Sequence, residues 1–257
     1  MIVNLSLNNS LADSYKSPSQ KIRVLTENWA NDNAYCPSCG ACLEKYKNNK
    51  PVADFYCPDC AEEYELKSKK DNIGLKILDG AYDTMLKRLR SSNNPNFFFL
   101  SYGSASLKIL NFIVIPKHFF IPDIIEKRKP LSPDADRADW VGCNILLQKI
   151  PQTGKIFLVK NEKIEPKKIV LENWRKTLFL REEKEMTAKG WILDVMNCID
   201  TLNKKTFSLD EVYTFEKSLQ SKHPDNKHIK DKIRQQLQFL RDKGYVEFLG
   251  KGRYKRT

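Results

Sequence analysis

Apolar residues along the chain follow two rhythms. Helical spacing appears first in "SYKSPSQKIRVLTENWA", where Ile22, Leu25 and Trp29 recur every three or four positions behind Ser19 as N-cap, predicting a helix over about 18–31. It returns in "LDGAYDTMLKRLRSS" (78–92), with Ala81, Met85 and Leu89 on one face before "NNPN" stops it, and in "PKKIVLENWRKTLFL" (166–180). Between these lie runs that read as strands: "PVADFYC" (51–57) and "EYELKSK" (63–69) around a Pro-Asp turn, the strongly apolar "FFFLSY" (97–102) and "LNFIVIP" (110–116), and "KIFLVK" (155–160). Residues 117–155 read as mostly loop. This pattern predicts an α/β domain built on a mixed sheet.

A charged stretch, "REEKEMTAKG" (181–190), interrupts the pattern and predicts a boundary that divides the chain into domains 1–182 and 183–257. Beyond it, "WILDVMNCIDTL", "SLDEVYTFEKSLQSK" headed by Ser208, and "NKHIKDKIRQQLQFLRDKG" give three helix-period segments. "YVEFLGKGRYKRT" closes the chain as a hairpin around Gly-Lys-Gly. Three helices and a basic hairpin outline a small, mostly α winged helix.

Charge narrows the choice of partner. Forty-four Lys and Arg against 32 Asp and Glu give a net +12, which points to a polyanion, most naturally nucleic acid. No apolar run reaches the ~18 residues of a spanning helix, and the N-terminal residues lack the basic and apolar blocks of a secretory signal, so a cytoplasmic protein without a membrane partner is expected.

The seven cysteines leave one over in any disulfide framework, and their spacing suits a metal better. Cys36-Pro-Ser-Cys39 and Cys57-Pro-Asp-Cys60 form two C-x2-C pairs separated by 17 residues, the pattern of a four-thiolate zinc site. All four ligands would come from protein, so this zinc is a scaffold. Cys42 is an alternative to Cys39 at poorer spacing, whereas Cys143 and Cys198 read as small buried apolar residues.

The second cysteine pair sits at the tip of the predicted hairpin. Strand alternation puts Glu65 and Lys67 on one face, and a turn around Asp59 and Cys60 sets Asp54 opposite Glu65. Two carboxylates and an amine on one strand pair are what Mg²⁺-dependent phosphodiester hydrolysis uses, and Asp-x10-Glu-x-Lys is the PD-(D/E)XK nuclease signature. Short as it is, the motif alone also fits an ordinary charged strand face. Ala53 stands where the signature usually has Pro, and Pro51 lies three positions before Asp54. Glu27 on the first helix reads as a solvated face, with a catalytic role as the second reading.

The last thirty residues hold nine Lys or Arg against three Asp or Glu. Ile229, Ile233, Leu237 and Leu240 line one face of their helix, which leaves Lys230, Arg234, Gln235 and Gln238 for DNA base edges and backbone. Lys251, Arg253, Lys255 and Arg256 on the wing suit phosphates. Trp140, near Arg137 in a loop, is either a core anchor or a wedge against bases.

In order, "YCPSCG", "PVADFYCPDC", "EEYELKSKK", "DGAYDTMLKR", "NNPNFFFL", "RADWVGCNI", "FLRE" and "KIRQQLQFLRDK" resemble the DpnI-like methylation-dependent type II restriction endonucleases across essentially the whole chain. The resemblance implies a PD-(D/E)XK catalytic domain with a structural Zn²⁺ site, a winged-helix DNA-binding domain, and cleavage of double-stranded DNA at GATC whose adenine is N6-methylated, using Mg²⁺. It assigns catalysis to Asp54, Glu65 and Lys67, zinc to Cys36, Cys39, Cys57 and Cys60, and Mg²⁺ to Asp54, Glu65 and the Leu66 backbone. It also moves Trp140 from core to DNA contact. A monomer is expected. Two other readings fit the residues: a zinc-bearing winged-helix regulator without catalysis, and a repair nuclease indifferent to methylation.

Overall fold

The computed structural model describes residues 2, 4–46, 53–91 and 94–257. Pro51 and Val52 of the first expected strand lie outside them. The chain divides into two compact units, residues up to Gln148 with Thr153–Thr177, and Lys149–Gln152 with Leu178–Thr257.

In the first unit the order is α1 (Pro18–Asn33), β1 (Glu44–Lys45), β2 (Phe55–Tyr56), β3 (Glu63–Lys70), β4 (Lys76–Ala81), α2 (Tyr82–Arg90), β5 (Asn96–Tyr102), β6 (Ile109–Ile115), β7 (Ile125–Lys127), β8 (Gly142–Leu146), β9 (Ile156–Lys160), β10 (Lys163–Ile164) and α3 (Lys167–Arg175). Seven strands form a mixed sheet ordered β1-β2-β3-β5-β6-β9-β10, in which β3 and β5 run parallel and the other neighbours antiparallel. A small second sheet is ordered β4-β8-β7.

The apolar run of β5 explains its central place: Phe97, Phe98, Phe99 and Leu100 are all essentially inaccessible, as a strand covered on both faces must be. One face of the large sheet carries Tyr64, Phe98 and Phe112, with Tyr64 stacked on Phe98 at 4.6 Å. Trp29 of α1 meets Phe112 edge-on at 5.3 Å, and Trp174 of α3 lies 6.4 Å from Tyr64. These aromatic anchors tie both helices to that face. Alternation then turns Glu65 and Lys67 of β3 the other way.

Several elements depart from the sequence pattern. Residues 76–81 form strand β4 rather than the start of a helix: Ile77 is buried between exposed Lys76 and Leu78, a period of two that the later 3.6-residue pattern obscured. Strands β7 and β8 occupy the stretch read as loop. The helix over 18–31 begins after Ser17, not Ser19; Pro18 takes the first helical position, where its missing N–H costs nothing. The segment 166–180 stops at Arg175.

The second unit holds α4 (Phe179–Glu182), α5 (Met186–Leu202), β11 (Thr206–Ser208), α6 (Leu209–Tyr213), α7 (Glu216–Lys222), α8 (Ile229–Asp242), β12 (Val246–Gly250) and β13 (Arg253–Arg256). Its three-stranded sheet is ordered β11-β13-β12, so the terminal hairpin gains a third strand that the sequence did not announce. Ser208 caps α6 through a reciprocal box with Glu211. The segment 208–222 breaks at Thr214 and Phe215 into two helices. Ile229, Ile233, Leu237 and Leu240 of α8 are buried, and Lys230, Arg234, Gln235 and Gln238 are exposed. Among the described residues no helix is long and apolar enough to cross a membrane.

Candidate active site and metal centre

Two tight turns build the cysteine cluster. In each, the residue after the second cysteine folds back so that its N–H donates to the first cysteine's carbonyl, Gly40 to Cys36 at 2.7 Å and Ala61 to Cys57 at 2.9 Å. Both residues sit in the left-handed region, at φ +88° and +56°. Glycine adopts that conformation freely and alanine does not. Ala61 is exposed and loses no packing on truncation, so Ala61→Gly is expected to stabilise the protein by about 1 kcal/mol, read as a Tm rise of about 2–4 °C.

The Sγ atoms of Cys36, Cys39, Cys57 and Cys60 all lie within 4.8 Å of one another, with Cys36 to Cys60 and Cys39 to Cys57 each at 3.4 Å. A tetrahedron of ~2.3 Å Zn–S bonds has sulfurs about 3.8 Å apart, so the four fit one zinc ion. Burial pushes the Cys57 thiol up to about 11 and Cys36 higher still, so ionising them together calls for a bound cation. Cys42 is exposed and outside the cluster; Cys143 and Cys198 are buried. The Tyr64 hydroxyl contacts Cys36 Sγ at 3.1 Å, which joins the cluster directly to β3.

The next residue on β3 is Glu65. Phe55 pairs with Tyr64, and one further step of the same register sets Asp54 across from Glu65, where the Asp54 N–H donates to the Tyr64 carbonyl at 2.9 Å. Strand β2 is only two residues long, and among the described residues no strand continues along that edge of β3 beyond it. The Asp54 carboxylate takes its place, accepting from the Leu66 N–H at 2.7 Å. A strand residue's N–H and C=O leave on the same edge, so the Leu66 carbonyl faces Asp54's side too.

Asp54, Glu65, Leu66 and Lys67 line one cavity of about 340 Å³ with Arg23, Thr26, Glu27 and Ser68. Burial raises the Asp54 pKa, the Leu66 N–H opposes this, and the nearby Glu27 and Glu65 charges raise it again. Such a crowd of acidic groups favours a cation. Mg²⁺ is commonly held by one or two carboxylates with its remaining positions on water, and Asp54, Glu65 and the Leu66 carbonyl are a hard-oxygen set of that kind. Among the described residues only the cysteines bring three or more metal-ligand side chains together.

Three acidic or basic neighbours differ from the sequence reading or escaped it. Glu27 is not a solvated face: it is 7% exposed and paired with Arg23 at 2.5 Å and Lys45 at 2.9 Å. Arg88 of α2 reaches Glu65 at 2.9 Å. Asp79 of β4 pairs with Lys67 at 2.5 Å, and Lys67 is also 2.6 Å from Glu65. Burial would lower the Lys67 pKa, but the two carboxylates outweigh it and hold the ammonium well above its ordinary value. Lys67 is therefore clasped between two carboxylates in this structure. Lys69 instead donates to the Ile73 carbonyl.

The residues expected to meet DNA lie in both units. Trp140 is half-buried in a loop, with the Arg137 guanidinium 4.9 Å from its ring centre. Its six-membered ring rests on Gly142, where an added Cβ would come within 2.8 Å. On α8, Arg234 donates to the Tyr213 hydroxyl and Lys230 pairs with Glu216 at 3.5 Å. Lys251 and Arg253 on the wing are exposed, but Lys255 and Arg256 are engaged with Glu247 and Asp200 at 3.0 and 2.6 Å.

Residues 3–183 match the model of the Dam-replacing family, DpnI, and residues 187–256 match that of the Dam-replacing HTH domain. The first match spans well over half the chain, and the second falls on the helices and wing of the second unit. This chain therefore belongs to the Dam-replacing family, the family of methylation-dependent restriction enzymes that carries the name DpnI.

Proposed function

We propose that the protein is a Mg²⁺-dependent type IIM restriction endonuclease that cuts double-stranded DNA at GATC sites carrying N6-methyladenine. In this reading residues 1–182 form the catalytic domain and 183–257 the DNA-binding winged helix. The observation that carries it is the meeting of Asp54, Glu65, Leu66 and Lys67 in one cavity beside β3, within a chain of this family. The methylated GATC site rests on the resemblance to the family.

Asp54, Glu65 and the Leu66 carbonyl would hold Mg²⁺. When bound, the ion neutralises charge on the scissile phosphate and lowers the pKa of its water. Lys67, held between Glu65 and Asp79, would serve the reaction as a hydrogen-bond donor that orients the nucleophilic water and offsets phosphate charge. Attack on phosphorus with departure of the 3′ oxygen leaves 5′-phosphate and 3′-hydroxyl ends. Trp140, Arg137, Lys230, Arg234, Gln235, Gln238, Lys251 and Arg253 are the proposed DNA contacts, and a monomer acting on cytoplasmic DNA suffices. A methyl group adds only about 1 kcal/mol of apolar contact, so rejection of unmethylated adenine needs a penalty as well as a fit.

Plasmids bearing GATC, prepared from adenine-methylating and non-methylating hosts and incubated with protein and Mg²⁺, test this. Discrete fragments are expected from the methylated plasmid only. Equal cutting of both overturns the methylation requirement, and duplex binding without cutting overturns catalysis.

A further inference from the structure

Asp79 is a buried carboxylate on the small sheet, its side chain 4% exposed, and its ion-pair partner is Lys67 of the large sheet. A charge removed from water in this way is retained only where a partner compensates it. The backbone is shaped to bring the two together. Along β4 and β8 the register runs from Asp79 opposite Cys143 to Ala81 opposite Gly142, so β4 spends two steps against one and Gly80 is the extra residue of a β-bulge. Bulges beside active sites re-aim a side chain. Among the described residues nothing lies within 4 Å of where a Gly80 Cβ would stand, so the bulge leaves this position open.

Glu65 is already crowded. Its two carboxylate oxygens receive Lys67 at 2.6 Å and Arg88 at 2.9 Å. The same carboxylate is the one assigned to the metal, and an oxygen committed to a divalent ion no longer fixes the lysine. We propose that Asp79 is a positioning residue: it anchors the Lys67 ammonium from the opposite sheet, so that Lys67 keeps its place when Glu65 engages the metal. This rests on the catalytic reading above. It makes Asp79 act through Lys67 and assigns it no contact with metal or DNA.

The test uses the full-length protein and D79N, which keeps the shape and removes the charge. Side-chain ¹⁵N spectra of the metal-free, DNA-free protein are expected to show a Lys67 ammonium signal protected from solvent exchange, assigned by its loss in K67R, and D79N is expected to lose it. In cleavage assays D79N should lower kcat about 100-fold, the loss that a misplacement of about 1 Å brings. KM for DNA and the half-saturating Mg²⁺ concentration should stay within about threefold. A tenfold or larger rise in the Mg²⁺ requirement overturns the proposal in favour of a metal ligand, and a kcat within twofold of wild type overturns it outright. Should D79N fail to fold, the wild-type spectrum still decides, because an unprotected Lys67 signal is incompatible with the anchor. The spectra need no cleavage, so a protein that cuts no DNA would defeat the catalytic reading without touching this measurement.

Discussion

Asp54→Asn is expected to reduce DNA cleavage by about 10³-fold or more while leaving binding to the same duplex within about threefold of wild type. The substitution is nearly isosteric, and its amide oxygen can still accept the Leu66 N–H that Asp54 holds at 2.7 Å, so the strand edge keeps its cap. What disappears is a negative charge facing the cavity shared with Glu27 and Glu65. Metal assistance lowers the barrier by several kcal/mol, and about 4 kcal/mol corresponds to a thousandfold in rate. Binding should hold, because the cationic helix and wing are elsewhere in the chain and a carboxylate lost near phosphate removes only repulsion. Gel shifts and single-turnover cleavage on one methylated duplex separate the two quantities. Cleavage by the variant at near wild-type rates would sink the assignment of the active site.

Cys57→Ser is expected to unfold the first unit or leave it with a Tm lower by about 10–20 °C, with bound zinc lost. Structural zinc sites contribute about 10–16 kcal/mol of coupled binding and folding energy, comparable to or larger than the ~5–15 kcal/mol that holds a whole domain together. Forfeiting even ~5 kcal/mol gives a shift of that size in a unit of this length. The damage should spread to catalysis, because Cys36 touches the Tyr64 hydroxyl and Tyr64 stacks on Phe98 in the middle of the core. Cys42→Ser is the control: its thiol is exposed and outside the cluster, so zinc content and melting should match wild type. Zinc content measured on both variants beside thermal melts checks the pair, and a Cys57→Ser protein with normal melting and normal zinc would contradict the scaffold role.

Local and periodic features were legible in the sequence. The cysteine spacing foretold a cluster, and the register of the hairpin followed from counting back across the second pair, since Phe55 does pair with Tyr64. The apolar runs located β5, β6 and β9 within a residue or two. Hidden were features that depend on long-range pairing. Strands β7 and β8 carry prolines and polar residues around them and become strands only by pairing with each other and with β4. Asp79 was concealed because "LDGAYDTMLKR" merges a strand of period two into a helix of period 3.6, and the longer pattern dominated. Glu27 looked like a helix surface because Arg23, one turn before it, reads as an ordinary surface pair, while Lys45, the second cation that makes its burial tolerable, comes from β1. The glycine inside "KILDGA" was the one local sign of a break in that stretch.

The knuckle at Cys57–Cys60 also acts as a length gauge. Tyr64 turns into the aromatic core while Glu65 and Lys67 turn to the opposite face of β3, and the cluster fixes where that alternation starts. One residue added or removed between Cys60 and Glu65 would swing the carboxylate and the ammonium into the place of Tyr64 and Leu66, and drive an aromatic ring into the cavity. Most surface turns tolerate such changes in length, because closing a slightly longer loop costs little. This one does not, so the number of residues between Cys60 and Glu65 is as constrained as the identities of the cysteine and the carboxylate at its two ends.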